Sequence, residues 1–147
     1  MSSDNVRVVR PEPYWLVVLA LVGGDQLVKV LVSGLGSPLV VGPVSLSRTI
    51  NDVGIFGLAL SNGTLVLIGV GLVIALLAVL LSGIDRQPAR LGLWLILGGA
   101  LSNLIDRATA GGVVDVIAVE NIARFNLADV MIVLGLLSLV RSVWWRE

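Results

Sequence analysis

Asp106, Asp115 and Asp129 gather with Glu120, Asn103, Arg107 and Asn126 in the stretch from Gly98 to Asp129, between two apolar runs. Ionisable groups at membrane depth are expensive and are usually kept for a site or an ion path, so this stretch is expected to be the active site. Asp115 interrupts an apolar, strand-like segment, VVDVI, and Asp129 lies one turn into the run that opens with FNLAD. Fourteen residues apart, they meet if the Val116 to Phe125 loop folds back on itself. Two carboxylates in a poorly hydrated site do not both ionise cheaply, so one holds a proton while the other is a base. Such a pair can activate water against a peptide carbonyl and then protonate the leaving amine. The competing reading is that each aspartate caps a helix or pairs with Arg107 or Arg124, and for Asp115 and Asp129 position alone leaves both open. For Asp106 the structural reading is preferred, because Asp106-Arg107 closes an apolar run with a cation adjacent. Glu120, in the loop itself, is expected to be a solvated charge.

Composition sets the setting for this chemistry. A chain of 147 residues with 56% apolar and 14% charged residues is too hydrophobic for a soluble domain and too short for two ordinary ones. It is expected to be a single integral membrane domain over residues 1–147. With no Cys and no His, disulfides, thiol nucleophiles, a Ser-His-Asp triad and a His-based zinc site are excluded. The net charge is zero, so nothing in bulk electrostatics points to nucleic acid or an anionic surface. Carboxylates, hydroxyls and one lysine, Lys29, are the main catalytic groups left. A Ser-Lys dyad would set Lys29 against Ser33 or Ser102, but Asp25, one turn away, would keep that lysine charged and a poor base. A small proton or ion conductor is the non-enzymatic alternative. It requires acids spread through the membrane depth, whereas these cluster at one side.

Four apolar runs are expected to span the membrane and position the cluster: Tyr14 to about Val32, Thr64 to Leu81, Leu91 to Ile105, and Asn126 to about Trp144. The second carries no charge and reaches roughly the length that crosses a ~30 Å hydrocarbon core. The first follows Pro11 and Pro13 and is longer than a signal-peptide core, so it is read as a retained helix. Its Asp25 and Lys29 are one turn apart; they either neutralise each other near the bilayer edge or let Lys29 hold a loop or catalytic shell in place. Between Ser33 and Gly63, glycines and prolines exclude a long helix. Val44 to Ile50 alternates with period two apart from Arg48, predicting a strand with Val44, Leu46 and Ile50 on one face. Asn51 to Leu60 reads as a turn into a short, weakly helical segment. Ser82 to Arg90 is a compact link, and Ala108 to Phe125 a second excursion, with a turn at Gly111-Gly112 and a strand over Val113 to Val119. Gly71 with Ala75, and Gly98 with Ser102, predict close helix packing. Arg7, Arg10, Arg86, Arg90, Arg141 and Arg146 fall on the side of the termini, against Lys29, Arg48, Arg107 and Arg124 on the other. Together with Trp15, Trp94, Trp144 and Trp145 this predicts cytoplasmic termini, with both excursions and the acids at the outer face.

At these residues the chain resembles the lipoprotein signal peptidase family, also called signal peptidase II. The resemblance runs through DQLVK (Asp25 to Lys29), the Asn51 to Gly57 segment, GGALSNLIDR (Gly98 to Arg107), GGVVDVI (Gly111 to Ile117) and FNLADV (Phe125 to Val130), in order and between the four spans. It implies a mainly α membrane protein, four transmembrane helices with a small extracytoplasmic β-sheet cradle between helices 1 and 2. It implies a membrane aspartic endopeptidase whose catalytic dyad is Asp115 and Asp129. Asn51, Asn103, Arg107 and Asn126 would line the substrate site, with Asp25, Lys29 and Asp106 supporting it and no metal or other cofactor. The substrate would be a diacylglyceryl-modified bacterial prolipoprotein, cut before its lipidated cysteine. The expected partners are that precursor and the membrane lipids, with no nucleic acid, and the chain is expected to work as a monomer in the bacterial cytoplasmic membrane. Val53 and Val116 depart from the family pattern, which has Gly at the first and often Phe at the second, and so bear on the shape of the substrate groove.

Overall fold

The computed structural model describes residues 14–52, 60–82 and 87–144. The expectations for the segment before residue 14, for residues 53–59, and for Arg86, Trp145 and Arg146 lie outside the described residues. Four helices, α1 (Tyr14–Ser33), α2 (Asn62–Leu81), α3 (Gln87–Ala110) and α4 (Leu127–Trp144), are long and apolar enough to cross a membrane. α3 is longer than its apolar run. It begins at Gln87, because Pro88 is tolerated in a first turn, where a backbone N–H would have no intrahelical partner. It continues a turn past Asp106, because that aspartate is paired across to α1 rather than closing its own helix. Gly111, at φ +78°, then turns the chain out of the helix.

The two excursions form one sheet. β1 (Leu39–Val41), β2 (Val44–Asn51), β3 (Val113–Val119) and β4 (Ala123–Phe125) are antiparallel neighbours in that order. The cradle therefore draws strands from the α3–α4 connection as well as from the α1–α2 connection. Pairing of Leu46 with Ile117 but of Thr49 with Asp115 leaves one extra residue in β2, a bulge at Ser47–Arg48. The shift in phase corrects the expected face. Leu46 opposes Ile117 while Ile50 opposes Val114, and positions 114 and 117 point to opposite faces of β3. The same shift brings Asn51 into phase with Asp115.

Lipid tails are as apolar as leucine, so helices in a bilayer associate through close packing rather than hydrophobic burial. α3 and α4 meet at small residues: a Cβ added at Gly99 would lie 2.5 Å from the Ala128 carbonyl oxygen. This approach sets the first turn of α4 beside Asn103. Gly98 packs against α1 and α4, as a small-residue face predicts, but a Cβ added at Gly71 would meet nothing within 4 Å. Leu76, Leu93, Ile96 and Leu97 pack between α2 and α3, while Val32, Val114 and Val116 pack the end of α1 against the sheet. At the opposite end Tyr14 donates to Gln87 Oε1 and Ser138 to the Pro88 carbonyl.

Candidate active site

The helix carrying Asp129 starts with a reciprocal cap. The Asp129 N–H donates to Asn126 Oδ1 at 2.9 Å, and the Asn126 N–H donates to Asp129 Oδ2 at 3.0 Å, a capping box built from Asn and Asp. Asp129 thus does cap a helix, yet its second oxygen accepts from Asn103 Nδ2 at 3.1 Å. The amide of Asn126 is fully buried and faces β3. Its Nδ2 donates to Asn103 Oδ1 at 3.1 Å and to the Val114 carbonyl at 3.2 Å, and lies 3.4 Å from Asp115 Oδ1. Asn51 Nδ2 approaches the other Asp115 oxygen at 3.4 Å from the neighbouring strand. Three asparagines therefore frame the two carboxylates, and both aspartates line one cavity of about 410 Å³ together with Asn51, Asn103 and Arg107. The cavity continues down between the helices along Leu65, Ile68, Leu72 and Ile132.

Burial pushes the Asp115 carboxyl above the ordinary aspartate value, and the negative charge of Asp129 pushes it the same way. The Asn51 amide opposes both by favouring the ionised form. Asp115, its pKa raised, thus shares a cavity with Asp129, whose two oxygens each accept an N–H bond.

A second network lies beneath the strands. Lys29 Nζ sits 2.6 Å from Asp25 Oδ2 and 2.5 Å from Asp106 Oδ2, with all three side chains buried. Removal of three charges from water is costly unless every group is bonded, and here the remaining positions are filled by backbone and neighbours. Asp106 Oδ2 accepts the Val114 N–H at 3.1 Å. Asp25 Oδ1 accepts the Ala128 N–H at 3.1 Å, and its Oδ2 accepts Ser102 Oγ at 2.6 Å. Gln26 Nε2 joins Ser102 Oγ to Asp106 Oδ1, 2.9 Å from each. The triad therefore grips β3 next to Asp115 and α4 next to Asp129.

This geometry decides between several of the sequence readings. Asp106 pairs with Lys29, not with Arg107, because helix packing sets α1 against that side of α3. Lys29 makes both the i,i+4 pair with Asp25 and a cross-helix pair with Asp106. A Ser-Lys dyad is not formed, since the ammonium is engaged by two carboxylates while Ser102 donates to Asp25 and Ser33 donates to the Lys29 carbonyl. Among the described residues neither Arg107 nor Arg124 makes an ion pair with Asp115 or Asp129. Arg107 Nη1 is buried at the cavity without a hydrogen-bond partner, and Arg124 Nη1 donates to Thr49 Oγ1 at 3.1 Å. Gln26 and Asn62 are contributors that the sequence reading missed. Asn62 Nδ2 donates to the Arg107 carbonyl at 3.0 Å and so ties α2 to the end of α3. A signal existed for the first: Asp25, Gln26 and Lys29 on α1 and Ser102, Asn103 and Asp106 on α3 share the spacing i, i+1, i+4, which sets two polar patches on apolar helices.

Comparison with known proteins gives this site a family. The profile of the family described as Signal peptidase (SPase) II matches residues 17–145, which takes in all four spans and the sheet. The chain belongs to the signal peptidase II family. The lipoprotein signal peptidase of Moorella thermoacetica is 38% identical over 86% of this chain and 89% of its own. That of Mesorhizobium japonicum is 37% identical over 92% of this chain and 88% of its own. A bacterial membrane enzyme solved by the in meso method at 2.3 Å resolution superposes with a TM-score of 0.78 over 90% of this chain and 87% of that one. At 23% identity that likeness speaks for the fold alone. This signal peptidase II chain is a bacterial membrane protein with several spans.

Proposed function

We propose that this protein is a membrane aspartic endopeptidase that removes the signal peptide from diacylglyceryl-modified prolipoproteins, cutting before the lipidated cysteine, with Asp115 and Asp129 as its dyad. The observation that carries the reading is the pair of carboxylates in one cavity, one pushed toward its protonated form, in a chain of the signal peptidase II family. Asp129, ionised, takes a proton from a water that attacks the scissile carbonyl carbon, while Asp115 gives its proton to the carbonyl oxygen. Collapse of the tetrahedral diol breaks the C–N bond; Asp129 passes its proton to the leaving amine, and Asp115 takes one back from the diol hydroxyl. Asn51, Asn103 and Asn126 hold the two carboxyls in place, and the buried, unpartnered Arg107 Nη1 donates to a substrate carbonyl.

The orientation supported by the arginine and tryptophan distribution has both termini cytoplasmic and the dyad toward the outer face of the bacterial cytoplasmic membrane. Trp15 and Trp144 lie in the terminal turns of α1 and α4 away from the sheet, as an interfacial aromatic belt would, with Trp94 two turns into α3. The apolar lower part of the cavity suits a substrate already in the bilayer, and the presence of every residue invoked in a single chain supports a monomer. The test is incubation of the purified protein with matched lipidated and unlipidated precursors, read by gel shift. Cleavage of the lipidated form, far faster than the unlipidated one, is expected. Equal cleavage of both would count against a lipoprotein substrate.

A further inference from the structure

Arg124 lines two cavities. Besides the dyad cavity it lines a second one, of about 610 Å³, at the end of the sheet formed by the hairpin turns Gly42-Pro43 and Glu120 to Ile122. Among the described residues it is the one that lines both. The dyad cavity runs in the other direction between the spans, along Leu65, Ile68 and Leu72. A polypeptide with its apolar segment among the helices and its scissile bond at the dyad meets Asn51, Val113 and Arg124 of the sheet on the other side of the cavity. The Arg124 side chain is exposed and makes no ion pair among the described residues; its hydrogen bond to Thr49 Oγ1 anchors it on the residue paired with Asp115. A guanidinium carries five N–H donors, and the bond to Thr49 uses one of them. Glu120 lines the second cavity alone, so an exiting segment meets the cation first and the anion beyond it.

We propose that Arg124 is a specificity-determining residue, which favours substrates with an acidic side chain in the segment that follows the cleaved bond. The inference rests on the peptidase reading above and adds a charge preference to it. Since the contact is exposed, its size is that of a surface pair, roughly two- to five-fold in kcat/KM, and it weakens as salt shortens the Debye length.

The experiment uses the full chain in zwitterionic lipid and lipidated precursors that differ only in carrying Asp, Asn or Lys immediately after the lipidated cysteine. For each enzyme the ratio of kcat/KM for the Asp and Lys substrates is read, so a general loss of activity does not enter. The wild-type ratio is expected to be that two- to five-fold above one, to fall toward one at about 0.5 M salt, to reach one in Arg124→Ala and to drop below one in Arg124→Glu. An unchanged ratio in Arg124→Ala would overturn the proposal, as would an Arg124 effect that follows anionic lipid in the membrane rather than substrate charge. Cleavage of all three substrates at one rate would remove the proposal and leave the peptidase reading standing. Cleavage of none would remove both.

Discussion

Asp25 accepts the backbone N–H of Ala128 at 3.1 Å, across 103 residues of sequence. The first four N–H groups of a helix have no intrahelical partner, and this one finds its acceptor in a buried carboxylate on α1. That carboxylate is itself balanced by Lys29, which also binds the Asp106 carboxylate under the Val114 N–H. One lysine therefore fixes the relative position of the two elements that bear Asp115 and Asp129.

Loss of that lysine leaves two uncompensated buried carboxylates. Lys29→Met is expected to lower stability by about 3–5 kcal/mol, the usual cost of breaking a buried pair, and thermal unfolding in detergent measures it. Asp106→Asn keeps an acceptor but loses the charge facing Lys29, so a lower unfolding temperature with residual activity is expected. A Lys29→Met protein as stable as wild type would show that the triad does not hold the site.

Asp115 gives a pH-dependent prediction whose sign follows from its raised pKa. A carboxyl whose folded pKa lies above its unfolded value contributes stability that is complete below the unfolded pKa and is lost as pH rises through the folded one. Asp115→Asn has nothing to lose. Its stability advantage over wild type should therefore grow with pH and level off above the folded pKa, and Asp129→Asn, which removes the neighbouring charge, should flatten the wild-type trend. Unfolding midpoints between about pH 3 and 8 check this; an advantage for Asp115→Asn that is largest in acid would contradict it.

Much of this site is legible in the sequence, and the part that is not has a physical reason. The spans declare themselves by length and lack of charge, and β3 by an aspartate inside valines. The partner of Asp106 is not legible, because its sequence neighbour Arg107 is nearer than Lys29 until α1 packs against α3. Nor is the phase of Asn51: strict alternation puts Ile50 on the face of Leu46, and only the bulge at Ser47–Arg48 turns Asn51 toward Asp115. That bulge costs nothing in composition, so period-two reasoning passes over it.

The proposed orientation makes Ser47 on β2 and Gln87 at the start of α3 lie on opposite sides of the membrane. Single cysteines placed there, in a chain that has none of its own, should react with an impermeant thiol reagent from opposite faces. Labelling of both from one face would reverse or abolish the assigned topology.

The pH dependence of turnover should be bell-shaped, as one carboxyl must be ionised and the other protonated. Its alkaline limb, set by Asp115, should lie above the ordinary aspartate range. A profile that keeps rising through neutral pH would mean that the proton on Asp115 takes no part.

The central claim is that Asp115 and Asp129 together make the catalytic unit, and the rate at which Asp115→Asn and Asp129→Asn cleave a lipidated prolipoprotein tests it most directly. Asn keeps the size and much of the hydrogen bonding, so both variants should fold and bind the precursor, yet neither can complete the proton transfers. Each is expected to lose turnover by several orders of magnitude. An active Asp115→Asn enzyme, with activity lost instead in a stably folded Asp106→Asn, would show that the dyad lies elsewhere.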